Sequence, residues 1–445
     1  MAPLFNSLIL AVSAAAQAAE PLSFSRDVAP ILQQRCVACH CEEKSKGGYR
    51  LDTFEWLGKP GDSGDAPFSS GNPAQSPLHS LLVEADADAR MPQKADPLPK
   101  AEISTIERWI SEGARYDGKT VAQPLAELTR TRYLKPAPGN YPRPMPVTAL
   151  AFSGDGNRLA VSGYREVLVF DMTDARPVQR IGGLPERITA LAWSGHSGIL
   201  AVAGGTPGRW GAVAIVRPEE KTSPKILCDL TESVLSLAMS ADGRQLAAGC
   251  GDRTVRFFEL PSGAQKRVLR PHADWVQSVA FHPSGKLLVS AGRDRTARVL
   301  DVGTGDVETT YRGHDSALTA VTFSADGTQV YTSARGGAGQ IWGPAKADKR
   351  GDFKGFRGDV EALAGSHLGI AAGCTDGSVH LFQRGDPAPY FSFKGRGAPV
   401  SAIAVSADGF RIASGDADGE VTVWNTACGT WERKFPAQPT ATGPR

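Results

Sequence analysis

Between residues 147 and 436 the apolar positions fall into short blocks rich in Ala, Val, Leu and Ile, broken at regular intervals by turn residues. One block ends at each of Ser153, Ser194, Ser240, His282, Ser324, Gly365 and Ser406, at spacings of 41, 46, 42, 42, 41 and 41 residues. After each comes a turn such as Gly154-Asp155-Gly156 or Ala241-Asp242-Gly243, a second block of Ala, Val and Ser, and a third such as Val421-Thr422-Val423-Trp424. A fourth, more polar block completes the unit. Short apolar blocks between turn clusters read as strands, and four strands per period of about 42 residues is the repeat of a propeller blade. The period predicts a seven-bladed, all-β propeller over 147–436, with a tail over 437–445.

Another pattern precedes it. After Pro99, the residues Ile103, Ile106, Trp109 and Ile110 recur at three-to-four spacing, which predicts a helix with one apolar face, ended by Gly113. Further upstream, Asp27 as a cap and Pro30 in a first turn predict a helix that runs through Ile31, Leu32 and Arg35 toward Cys36. Residues 119–146 read as a linker: 136–146 are Pro-rich and stiff, and 121–134 fit either a short helix or an added outer strand.

Composition supports a turn-rich chain. Glycine and proline fill 80 of 445 positions, near 18% against a usual share of about 12%. The 49 basic and 47 acidic residues leave a net charge of +2, which gives no reason to expect a nucleic-acid partner, because such proteins need a basic excess. The charge is unevenly divided: residues 21–118 carry 11 basic and 15 acidic residues, net −4, and residues 119–445 carry 38 and 31, net +7. Residues 8–19 form an apolar run closing on Ala16-Gln17-Ala18, which predicts a signal peptide over 1–18 and an exported protein, periplasmic or in the cell envelope. No apolar stretch reaches the length of a membrane-spanning helix, so no transmembrane span is expected after processing. Seven cysteines are an odd number for a disulfide framework, and a chain of this length does not need one.

Three of those cysteines lie together. Cys36-Val37-Ala38-Cys39-His40 is a C-x-x-C-H motif, the attachment signature of c-type haem. At the end of a helix, positions i, i+3 and i+4 share one face, so two thiols can bond the haem vinyl groups while the imidazole meets the iron. One motif implies one covalent haem c. A zinc site built on Cys36, Cys39 and either His40 or Cys41 would need a fourth ligand, for which the chain offers no second Cys pair. A thioredoxin-like redox pair would need a surrounding βαβ pattern. The second iron ligand is expected on a downstream loop, where Met91 follows a polar stretch and Pro92 keeps it from helical conformation. His79 is the alternative.

These motifs, with Phe24-Ser25-Arg26-Asp27-Val28-Ala29-Pro30, Gly47-Gly48-Tyr49-Arg50-Leu51-Asp52, Gly71-Asn72-Pro73 and Trp109-Ile110, resemble the planctomycete-type cytochrome c module over residues 23–117. The resemblance implies a small all-α cytochrome domain over 21–118, with Cys36 and Cys39 attaching haem, His40 as proximal ligand and Met91 as distal ligand. The repeat array resembles divergent WD repeats. Together they imply a monohaem electron-transfer protein with an unidentified redox partner protein and a propeller as protein-docking scaffold. A haem-containing sensor or binding scaffold is one alternative. An oxidoreductase with a second cofactor on the propeller is another. The repeated acids Asp252, Asp294, Asp376 and Asp418 are expected at blade turns, and Cys250 and Cys374 as small buried hydrophobes.

Overall fold

The computed structural model describes residues 22–438 apart from 43, 94, 337, 338, 384 and 396. The expected signal peptide and most of the tail lie outside the described residues. The chain divides into two compact units, the first ending at Thr129 and the second beginning at Arg130. No helix among the described residues is long and apolar enough to cross a membrane.

The first unit is small and mainly helical. Its first helical stretch opens at Ser23, whose hydroxyl accepts from the Arg26 N–H at 3.0 Å while its own N–H donates to Asp27 Oδ2 at 3.0 Å. The cap is therefore Ser23, and Asp27, expected in that role, closes the arrangement from inside the helix. After a turn of wider winding, Phe24–Val28, helix α1 covers Ala29–Arg35. Helices α2 (Phe54–Leu57), α3 (Pro77–Val83) and α4 (Lys100–Ser111) follow. A two-residue antiparallel pairing of β1 (His40–Cys41) with β2 (Lys44–Ser45) departs from a purely helical domain.

Helix α4 forms where its 3.6-residue periodicity places it, and Gly113 ends it at φ 101°, a left-handed conformation that suits glycine. Its buried Ile106, Trp109 and Ile110 join a core with Phe24, Leu32, Leu51 and Leu57. The Trp109 ring lies 5.3 Å from both Phe24 and Phe68, and its indole N–H donates to Arg115 O at 2.9 Å.

Among the described residues of the second unit, the strands form seven four-stranded antiparallel sheets. These blades cover 150–181, 188–230, 234–269, 276–311, 318–353, 360–394 and 400–436, each built from four consecutive strands. The serines that end the first strands explain the period. Ser153, Ser240, Ser324 and Ser406 each donate to an Asp two residues on and accept the backbone N–H five residues on, which closes the turn. His282 closes its turn differently, its Nδ1 accepting from the Ser284 N–H two residues on at 3.0 Å. In the sixth blade the expected anchor is off by one: Gly365 pairs inside the strand, and Ser366 starts the turn.

The ring closes without a shared blade. The Ser401 hydroxyl of blade 7 donates to Val147 O at 2.7 Å, the Val147 N–H donates to Asp416 O at 3.0 Å, and buried Gln438 accepts from the Met145 N–H at 3.0 Å and donates to Ser162 O at 3.4 Å. Side chains of blades 1 and 7 share one apolar cluster, including Val147, Phe152, Val423 and Phe435. The same joint recurs around the ring, where Thr148, Thr189 and Thr319 donate to carbonyls at the start of the next blade.

Helix α5 (Leu125–Tyr133) occupies part of the expected linker. From Arg130 onward that segment is fastened to the propeller. Arg130 pairs with Asp229, and Tyr133 stacks on Trp210 at 5.4 Å with the rings 5° from parallel.

Candidate functional site: a thiol, imidazole and thioether cavity

The end of α1 sets the site. Beyond Arg35 the chain continues in turns, with the Cys39 N–H donating to Cys36 O at 3.0 Å and the His40 N–H to the same carbonyl at 3.1 Å. That winding brings Cys36, Cys39 and His40 to the wall of one cavity of about 430 Å³. Met91 lines the same cavity, carried there by the loop between α3 and α4, which its own N–H closes by donating to Leu81 O at 2.9 Å. The rest of the wall is largely apolar, with Leu51, Leu78, Leu81, Leu82, Pro67 and Pro92.

His79, the alternative to Met91, does not line the cavity. Its Nε2 lies 4.0 Å from Glu107 Oε2, a side chain of α4. The apolar face of α4 is absent from the cavity wall, and its Ile106, Trp109 and Ile110 are used in the core.

The chemistry of this donor set fits a haem. Two thiols three residues apart, an imidazole and a thioether open on one apolar space of the size that holds a flat hydrophobic cofactor. Burial pushes the Cys36 thiol up to about 12, so it is held as the thiol. At the rim, the Arg35 guanidinium makes a two-point pair with Glu102, each bond 3.0 Å long. The His40 Nδ1 lies 3.2 Å from Tyr49 O, and the Leu51 N–H donates to His40 O at 3.0 Å. The part played by Tyr49 has no local sequence signal. It arises because Gly47 and Gly48, at φ 63° and 64°, turn the chain back on itself.

Three buried histidines and the turn aspartates of the propeller are held within its own strands and turns. His272 Nδ1 lies 3.0 Å from Asp294 and its Nε2 2.8 Å from Ser290 Oγ, an arrangement with the members of a hydrolytic triad. Both His272 and Ser290 are buried, however, and Asp294, held far below the usual carboxylate range, also fixes its own turn through the Thr296 N–H. His314 reaches Thr332, to which the Trp342 indole also donates, and His380 sits between Ser378 and Ser392. Asp252 and Asp376 cap their turns in the same way as Asp294, whereas in blade 7 it is Asp416, not Asp418, that accepts the turn N–H groups. Cys250 and Cys374 are buried in separate apolar clusters.

A small module that carries this cavity is followed by a seven-bladed propeller. Residues 36–94 match the planctomycete cytochrome C family, and residues 225–259, 263–301, 305–342 and 388–425 match the WD domain, G-beta repeat. Each WD match starts at the outer strand of one blade and ends with the third strand of the next, as Lys225–Leu230 and Val255–Glu259 do for the first. The chain is also 37% identical over 60 residues, 14% of its length, to the probable serine/threonine-protein kinase PkwA of Thermomonospora curvata, of which it spans 8%.

Proposed function

We propose that this is an exported electron-transfer protein. In this reading Cys36 and Cys39 would attach one haem c, His40 and Met91 would supply the ligands to its iron, and the propeller would present a rigid docking surface to a protein partner. The observation that carries it is the convergence of both thiols, the imidazole and the thioether on one apolar cavity. Export rests on the apolar run and the Ala16-Gln17-Ala18 pattern.

When bound, the haem supplies a one-electron couple whose potential a thioether ligand raises. The chain's own residues do the rest. Cys36 and Cys39 would supply the two thiols that hold the group covalently, and His40 and Met91 the nitrogen and sulfur offered to its iron. Leu51, Leu78 and Leu82 keep water from the cavity.

The test is the pyridine haemochrome of protein made in a host that attaches haem c, beside a double variant with Cys36→Ala and Cys39→Ala. The wild type should carry one non-extractable haem per chain and the variant should be colourless. Non-extractable haem in the variant sinks the assignment.

A further inference from the structure

We propose that Tyr49 is a positioning residue for His40: its phenol, anchored on the end of α2, holds its own carbonyl against the imidazole. The inference rests on the haem reading, with His40 as an iron ligand. A carbonyl can only accept, so a hydrogen bond between His40 Nδ1 and Tyr49 O, 3.2 Å apart, puts the hydrogen on Nδ1 and leaves the Nε2 lone pair for iron. A ligand imidazole that donates its second N–H is fixed in orientation and made more basic.

What fixes that carbonyl is the side chain. The chain reaches Tyr49 through Gly47 and Gly48, both with left-handed dihedrals, and two successive glycines leave the following peptide plane weakly determined. The Tyr49 hydroxyl donates to Leu57 O, the last residue of α2, at 3.0 Å. Its ring meets the His40 ring edge-on, with centroids 5.6 Å apart at 61°. Gly61 passes so close that a Cβ there would stand 3.0 Å from Tyr49 Cβ and 2.5 Å from Gly47 O. The Leu51 N–H grips only the backbone carbonyl of His40 and does not itself orient the ring. Phenol, glycine contact and carbonyl thus form one brace from α2 to the imidazole.

The experiment compares holoprotein of the wild type with Tyr49→Phe, Gly61→Ala and Trp56→Phe. Trp56 lies on α2 beneath Arg50 and Lys59, at 4.4 and 4.1 Å. Solvent exchange of the His40 Nδ1–H by paramagnetic NMR and the reduction potential are the readouts, because a merely structural tyrosine would change neither. Tyr49→Phe should keep its haem, exchange that proton about tenfold faster, the scale of one hydrogen bond, and move to higher potential. Gly61→Ala, which pushes the same tyrosine from the other side, should shift both readouts in the same direction and decides the matter if Tyr49→Phe fails to hold haem. Trp56→Phe should lose stability and leave both unchanged. The proposal is overturned if Tyr49→Phe and Gly61→Ala exchange at the wild-type rate, or if Trp56→Phe shifts the readouts as much. A colourless wild type would instead overturn the haem reading.

Discussion

Replacing Arg180 with Met probes how the segment before blade 1 is held. Glu166 is 1% exposed, and its carboxylate receives Arg180 Nε at 2.8 Å, Arg180 Nη2 at 2.7 Å and the Tyr141 hydroxyl at 2.7 Å. The same guanidinium donates to Gly139 O at 2.8 Å and Pro138 O at 2.6 Å, so one side chain ties residues 138–141 to the blade. Breaking a buried ion pair from one side costs about 3–5 kcal/mol, because the other charge is stranded. The Arg180 side chain is 37% exposed, so water screens the pair and the cost should sit near the bottom of that range, at about 3 kcal/mol. For a unit of this size that is a fall in Tm of about 6 °C. Glu166→Gln keeps a buried hydrogen-bonding group and leaves Arg180 partly solvated, so it should cost less, about 1 kcal/mol. Urea unfolding of both variants gives the energies, and hydrogen–deuterium exchange at the Tyr164 N–H, which donates to the Tyr141 hydroxyl at 3.0 Å, reports release of the segment. A cost for Glu166→Gln as large as that for Arg180→Met, or unchanged exchange at Tyr164, would refute the reasoning.

Three further outcomes are expected. Met91→Ala should retain covalent haem yet lose the weak red band of thioether-ligated ferric haem and drop in potential, while His79→Ala should leave both as in the wild type; spectra and potentiometry check this. Burial lowers the His314 imidazole to about 4 against an ordinary 6.5, so the unfolded chain binds a proton first as pH falls; stability full above about pH 7.5 should lose about 2 kcal/mol by pH 5 and about 3 kcal/mol by pH 4, and urea melts of wild type against His314→Asn should show that slope missing from the variant. Gln438→Ala strands the Met145 N–H and Ser162 O at the ring joint, and should cost about 2–6 kcal/mol at about 1–3 per unpaired group; a melting point equal to the wild type would show that the joint does not depend on this residue.

The sequence alone determined whatever depends on local spacing. The Cys36-x-x-Cys39-His40 interval is short enough for one winding of the chain beyond α1, so the three donors stay together although the helix itself ends at Arg35. The 41- to 46-residue period reflects a tight turn closed within each blade, by serine and aspartate in four of them, so the number of blades follows from the repeat alone. Even there, local reading slipped where a neighbour could substitute: Ser23 for Asp27 as cap, Ser366 for Gly365 as anchor, Asp416 for Asp418 at the turn. Tertiary structure decided everything that depends on contacts between distant segments. It brought Met91 to the cavity and turned His79 toward α4, although both residues follow the same motif by similar distances. It assigned the apolar face of α4 to the core, since a helix stripe says that it is buried but not against what. It joined blade 1 to blade 7 through Val147, Ser401 and Gln438, and it placed the carbonyl of Tyr49 on His40. Such pairings are set by the path of the whole chain, and periodicity along it carries no record of them.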